Sequence, residues 1–534
     1  MQLLLATALF MLQLLSLYTT PVQDSYLWWG DESWLMIEFR TQIMEGVFRH
    51  PYALGSNLQH GSGLLFGNMW IPALLYGLPA ALFKGGTDII LVGRSVTALL
   101  SATLLIALFE VTRRLTGDRV LSLFSVLLLL SSRSFLLTGH SARYDILTSL
   151  SILLGLSLLL RINTKAGTKQ ERLKRQVSST AVLAGALATG SVLITIHVAL
   201  AIWIATFVCV LRSEKSRTIS IVASYLAGSG AVALLLIGVA MLQGHATLLG
   251  GGRSNAFLLN LSDIPALRLF SRSVQSANAI QKWKTLSSLA LGYAVAIITG
   301  VGLTMIALVR RQAQIGLEWR HVVAAMIVVC WFEFESAAPT SYLIHVLPVL
   351  SVEIALIAWR LLPVVGRPWI ILSAAAALGI FGLTDAWNVR TIGRNISKAN
   401  DHAVTDALGQ VVHGSAEPRP IVLASNPSIH CILLDTSVQL MTTHLVEFPQ
   451  DGTSHGELSP LEYAIKKAHV RYILLYQSGL KPDYMREIGP LSIAAKHLGL
   501  MVWQQAGVFT DVGRSYFESC NNAPDTLQLY HLYD

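Results

Sequence analysis

Long apolar runs joined by short polar connections fill the chain to about residue 390, and a tail of more even polarity with short apolar runs follows. A helix needs about 20 mostly apolar residues to cross the hydrocarbon of a bilayer, and on that measure the sequence predicts about eleven spans. They fall at 2–21, 89–111, 120–138, 146–161, 179–195, 198–211, 218–241, 286–309, 322–336, 341–360 and 368–387. Lys and Arg in the connecting loops set the orientation, because such residues are retained on the cytoplasmic face. Arg113-Arg114, the run Arg161 to Arg175, Arg212 to Arg217, Arg310 to Arg320 and Arg360 to Arg367 all fall on one side under this scheme. The opposite, outer side then receives a first loop at 23–87, a second segment at 243–285 and the tail from 388 onward.

One further apolar run, Leu64 to Phe83, is long enough to cross. Counting it as a span would put the basic loops on opposite faces, and it carries Pro72 and Pro79. We read it as helical and lying at the outer interface. The 243–285 segment has spaced Leu, Ile and Phe among Arg253, Arg268, Arg272, Lys282 and Lys284, which reads as amphipathic. It is either a helix on anionic headgroups or a surface that meets an anionic ligand.

The tail predicts a small α/β domain. Residues 420–424, 431–434 and 471–476 read as short buried strands, and 461–468 as a helix before the third. The expected fold class is therefore a polytopic α-helical membrane protein, residues 1–390, followed by an α/β domain at 391–534.

Composition agrees with lipid as the main solvent. Of the 534 residues 53% are hydrophobic and only 13% charged, and the mean hydropathy is +0.55. The net charge of +8 would suggest nucleic acid in a soluble protein. Here the cations sit in loops, without a basic stripe interleaved with aromatics, and the sequence predicts no nucleic-acid partner. Of the four cysteines, Cys209 and Cys330 lie in apolar runs, while Cys431 and Cys520 lie in the tail, where an oxidising compartment would let them pair. The first apolar run has no small-x-small cleavage site after it, so an uncleaved span is expected. No P-loop, GxGxxG, CxxC, HExxH or GxSxG motif stands in a usable context.

The candidate chemistry is acidic and one-sided. Asp31 and Glu32 follow the first apolar run immediately, and His140, Arg143, Asp145, Glu333 and Glu335 fall at span ends on the same outer face. A carboxylate near hydrocarbon is costly unless paired, hydrated or bound to a cation, which makes such residues functional candidates. One carboxylate can take a proton from an attacking hydroxyl, and Asp31 and Asp145 are also the candidate ligands of a divalent metal ion. Competing readings are open for each. Asp31 and Glu32 also fit a solvated span boundary, Glu333 and Glu335 the mere end of a span, and His140 a structural or solvated position. Arg143 with Asp145 also fits an ion pair capping the next helix. His60 and Lys84 flank the interfacial run at phosphate depth.

These residues carry a resemblance. Asp31-Glu32 after the first span, Leu64-Leu65-Phe66…Pro72…Tyr76-Gly77 at the interface, and Gly93-Arg94-Ser95 opening the second span are its first half. Ala142-Arg143-Tyr144-Asp145 opening the fourth span and Tyr342-Leu343…His345…Pro348 in a late span complete it. In order and placement the chain resembles the GT-C membrane glycosyltransferases, in the branch of protein O-mannosyltransferases and lipid A aminoarabinose transferases. The resemblance implies an inverting transfer at the outer membrane face from a polyprenyl-phosphate sugar to a protein, lipid or polysaccharide acceptor. It implies Asp31 as the base or acceptor-orienting carboxylate, Glu32 in support, and Asp145 as the second acid. Arg143, Lys84, His60, Arg253, Arg272, Tyr342 and His345 are the candidate contacts to phosphate or substrate. Where that branch has a Pro-rich stretch in the first loop, this chain has His60-Gly61-Ser62-Gly63. The rival reading is a multi-span transporter or flippase of a lipid-linked or anionic substrate. It predicts acids near mid-span and symmetry between halves, whereas the acids here gather at one face and no internal repeat is visible.

Overall fold

The computed structural model describes residues 30–45, 70–139, 141–164, 179–183, 215–242, 347–361 and the strands of the tail, with single positions between them. Chain order begins with α1 (Gly30–Glu45), then a composite segment made of α2 (Trp70–Pro72), a π-helical turn (Ala73–Gly77) and α3 (Leu78–Ala80). There follow α4 (Gly86–Thr116), α5 (Arg119–Leu130), α6 (Arg133–Thr138), α7 (Asp145–Thr164), α8 (Lys215–Leu242) and α9 (Leu347–Leu361).

Among the described residues α4 contains the one helix long and apolar enough to cross a membrane, Asp88–Thr116. At 1.5 Å per residue it spans about 45 Å, more than the hydrocarbon needs. It stops where its chemistry says it should. Gly117 adopts φ 71°, the left-handed conformation that ends a helix, and its N–H donates to the Arg113 carbonyl at 2.9 Å. Asp118 then starts α5 by accepting from the N–H groups of Val120 and Leu121. At the same end Glu110 pairs with Arg113 at 2.9 Å and Arg114 at 2.7 Å, on the turn that the basic loops assign to the cytoplasm.

The predicted spans at 89–111, 146–161 and 218–241 correspond to α4, α7 and α8, and the one at 341–360 overlaps α9. The run at 120–138 is divided instead. α5 ends at Leu130, the hydroxyls of Ser131 and Ser132 donate back to the carbonyls of Leu128 and Leu129, and the chain restarts as α6. Of the run 64–83, residues 70–80 are helical, with Leu74, Leu78 and Leu82 exposed. The spans at 2–21, 198–211 and 322–336 lie outside the described residues.

Among the described residues, two apolar clusters organise the helical body. The larger joins α4, α5, α7 and α9 through Leu104, Leu108, Leu121, Phe124, Ile146 and Leu347. The smaller joins α1, the π-helical turn and the start of α4 through Met36, Phe39, Tyr76, Ile89, Ile90 and Ala142. Close approach depends on two glycines here. A Cβ on Gly77 would lie 2.2 Å from the Phe39 carbonyl oxygen, and one on Gly93 would lie 2.6 Å from both the Ala142 Cβ and the Met36 sulfur. Ala142 belongs to the smaller cluster and Ile146 to the larger, so the loop between them crosses from one core to the other.

The described strands of the tail form one six-stranded sheet, ordered β2-β1-β3-β6-β4 with β5 also on β6. The strands are β1 (Ile421–Ala424), β2 (Gln439–Thr442), β3 (Tyr472–Gln477), β4 (Met501–Gln504), β5 (Phe509–Thr510) and β6 (Thr526–Tyr533). β2, β1 and β3 run parallel, with Val422 beside Leu440 and Tyr472, while β6 runs antiparallel to β3, β4 and β5. β1 and β3 match the strands expected at 420–424 and 471–476. The strand expected at 431–434 and the helix at 461–468 lie outside the described residues.

Candidate active site

The loop from Ser141 to Tyr144, with Asp145 at its end, is the meeting point of four segments far apart in sequence. α7 begins at Asp145, whose side chain is fully buried. Its Oδ2 accepts from the Arg143 Nε at 2.7 Å, and its Oδ1 lies 3.1 Å from the His345 Nε2. The carboxylate therefore sits between a guanidinium and an imidazole, each within charge-assisted hydrogen-bond range. His345 is carried by the turn before α9, and that turn is tied to α7 by the Ser149 hydroxyl, which donates to the Ile344 carbonyl at 3.1 Å.

A second buried carboxylate stands on the other side of the loop. Glu32, in the first turn of α1, is met by Arg94 through both arms of the fork: Nε to Oε1 at 2.9 Å and Nη2 to Oε2 at 3.0 Å. Both side chains are almost completely buried. The same Oε1 accepts the backbone N–H of Ala142. The next peptide is held as well, because the Tyr76 hydroxyl donates to the Arg143 carbonyl at 2.8 Å and stands 3.1 Å from the Thr97 hydroxyl. Thr97 in turn donates to the Gly93 carbonyl one turn back along α4. Phe39 supports the loop from α1, with its ring 5.9 Å from that of Tyr76 and edge-on to Tyr144 at 6.4 Å.

Of the residues singled out in the sequence, Glu32, Arg143, Asp145 and His345 come together in this network. Asp31 precedes Glu32 in the same helical turn; its side chain lies outside the described set. Lys84 is on the exposed surface in the connection between α3 and α4, apart from the network. His60, His140, Arg253, Arg272, Glu333, Glu335 and Tyr342 lie outside the described residues. Arg94 and Tyr76 stood among the residues that carry the resemblance, but neither was a candidate for a role at the site. The signal for Arg94 was present: a lone cation inside an apolar run is a functional candidate in its own right. Tyr76 gave no such signal, since an aromatic at an interface is ordinary.

The described residues do not make up a metal-binding set. Among them no group of three His, Cys, Asp or Glu side chains converges, and the two oxygens of Asp145 are already directed to Arg143 and His345. What the arrangement offers is a buried carboxylate held between a guanidinium and an imidazole at the start of α7.

No family model matches the sequence, and no curated protein matches it either. Solved structures do match. ArnT from Cupriavidus metallidurans, crystallised with undecaprenyl phosphate, aligns over 98% of this chain and 97% of its own, with a TM-score of 0.57 and 12% sequence identity. The Archaeoglobus fulgidus oligosaccharyltransferase, solved with zinc and sulfate, aligns over 83% of this chain at 11% identity with a TM-score of 0.45, and the chain spans 63% of its length. The likeness to ArnT establishes the fold.

Proposed function

We propose that the protein is a membrane glycosyltransferase that moves a sugar from a polyprenyl-phosphate carrier to an acceptor at the extracytoplasmic face. The observation that carries the reading is the end-to-end correspondence with the fold of ArnT, a protein that holds undecaprenyl phosphate. The buried carboxylate of Asp145 at the start of α7, where the resemblance puts the second acid, supports it, as does the buried Glu32 of α1, which follows Asp31, the residue the resemblance gives as the first.

In this reading Asp31 takes the proton of the acceptor hydroxyl as its oxygen attacks the anomeric carbon. The bond from that carbon to the phosphate oxygen breaks, and the polyprenyl phosphate leaves as an anion. Asp145, held by Arg143 and His345, orients the sugar or the acceptor. Cations at the interface, Lys84 among them and Arg253 and Arg272 from the outer segment, receive the growing charge on the leaving phosphate. The lipid chain lies between the spans.

The test is transfer of label from polyprenyl-phosphate-linked hexoses or pentoses by the purified protein in lipid. Asp31→Asn and Asp145→Asn are each expected to lower kcat by about a hundredfold or more while the protein still folds. Full activity in both variants would sink the assignment. Protection of the tail from protease added on the cytoplasmic side of oriented vesicles tests the sidedness.

A further inference from the structure

We propose that Tyr76 and the Glu32–Arg94 pair are positioning residues for the transfer reaction, acting together on the backbone of Ala142 and Arg143 to set where the Asp145 carboxylate stands. The inference rests on the function proposed above and adds to it a division of labour within the first loop. Asp31 is the acid that works; its neighbour Glu32 holds the loop that carries the second acid.

The geometry is a two-handed grip on adjacent residues. From α1, Glu32 accepts the Ala142 N–H. From the π-helical turn, Tyr76 donates to the Arg143 carbonyl at 2.8 Å. Both holding groups are fixed in their own right. Glu32 is locked by the forked contact with Arg94, a bidentate geometry that fixes a carboxylate in plane as well as in position. The Tyr76 hydroxyl lies 3.1 Å from Thr97 Oγ1, also on α4, and its ring is fully buried. Arg94 and Thr97 are one turn apart on α4, so a single helix braces both hands.

The gripped residues lead directly to the site. Arg143 Nε reaches Asp145 Oδ2 at 2.7 Å, two residues along, so any shift of the Arg143 peptide moves the guanidinium that fixes the carboxylate. Gly93 removes the remaining slack, because Ala142 packs where its side chain would be. Catalysis by a held carboxylate is steep in position: a misplacement of about 1 Å can cost about a hundredfold in rate.

The test compares Tyr76→Phe with the charge exchange Glu32→Arg/Arg94→Glu, in full-length protein reconstituted in lipid. Three quantities are read: kcat and KM with a polyprenyl-phosphate-linked sugar, the melting temperature, and amide hydrogen exchange in peptides covering 139–146. Tyr76→Phe deletes one hydroxyl. It is expected to lower kcat about tenfold, with KM for the lipid donor and the melting temperature close to wild type, and to speed exchange across the loop. The exchanged pair restores opposite charges but leaves an arginine facing the Ala142 N–H, which needs an acceptor. It is expected to regain much of the melting temperature lost in Arg94→Met alone, while kcat stays low and exchange stays fast.

Wild-type kcat and exchange in Tyr76→Phe would overturn the proposal, as would recovery of kcat together with melting temperature in the exchanged pair. A kcat loss in Tyr76→Phe that merely tracks a loss of folded protein would also overturn it. If the exchanged pair does not accumulate, Tyr76→Phe decides alone. If wild-type protein transfers no sugar from any polyprenyl-phosphate donor, it is the proposed function that fails, and the exchange arm still decides whether these residues hold the loop.

Discussion

Arg94 sits near the start of α4 with 4% of its surface exposed, and its charge is met by Glu32. Removing one partner of a buried ion pair leaves the other uncompensated, which costs about 3–5 kcal/mol. Arg94→Met is therefore expected to lower stability by about that amount, measured as a fall in melting temperature in detergent. Arg94→Met with Glu32→Leu should recover part of the loss, since no buried charge is then left alone. A double variant no more stable than the single one would contradict this account. The same pair marks the limit of what the chain revealed at this scale. Asp31 and Glu32 were legible as an acidic pair at a membrane boundary, because two carboxylates beside an apolar run stand out. That Glu32 is committed to a cation 62 positions later was not, because burial and pairing depend on which helices touch. Asp145 and Arg143 were legible as a local pair at spacing two; the imidazole of His345, 200 positions away, was legible only through the resemblance.

The π-helical turn Ala73–Gly77 shows what lies between residue and fold. Such a turn takes up one more residue than an α-helical turn and shifts the side chains that follow it by about 100° around the axis. Here it brings Tyr76 inward while Leu74 and Leu75 stay exposed. Deleting Leu74 would let the segment close as a regular α-helix with its flanks in nearly the same register, and would take away the wide turn from which Tyr76 reaches Arg143 and Thr97. The deletion is expected to abolish most transfer activity, by about tenfold or more, with the protein still inserted in the membrane; activity near wild type would show that the turn has no bearing on the site. Hydrophobic periodicity could predict that 64–83 was apolar and helical in part, but it carries no signature of a π-helical turn, which is set by how Gly77 packs on Phe39. The break at Ser131 and Ser132 escaped for a related reason. A count of apolar residues passes over two serines, yet their hydroxyls bond back to the preceding turn and end α5.

For the molecule as a whole, the apolar runs foretold the helices α4, α7, α8 and α9, and the short runs of the tail foretold β1 and β3. β1 and β3 were legible because their runs are continuously apolar, as strands in the middle of a sheet are. β2, with the sequence QLMT, has too little pattern to announce itself. β6 alternates and could have been read, and it is the strand that changes the class of the sheet. It pairs with β3 on one side and with β4 and β5 on the other, turning a parallel trio into a mixed sheet. Deleting 526–533 is expected to make the tail protease-sensitive while the membrane body still extracts as a folded species. A tail that stays resistant would mean that the sheet closes without β6.

The position of β6 also sets a timetable. It lies between β3 and β4 in the sheet but is made after both. A chain made as far as Gln504 already holds both strands, and their facing edges have nothing between them. Open edges are where chains pair wrongly with one another. Until some twenty further residues follow, at a synthesis rate of about 5–20 residues per second, the half-built sheet stays exposed for a few seconds. Slowing elongation between 505 and 526 should therefore raise aggregation of the newborn chain more than the same delay placed inside a transmembrane helix.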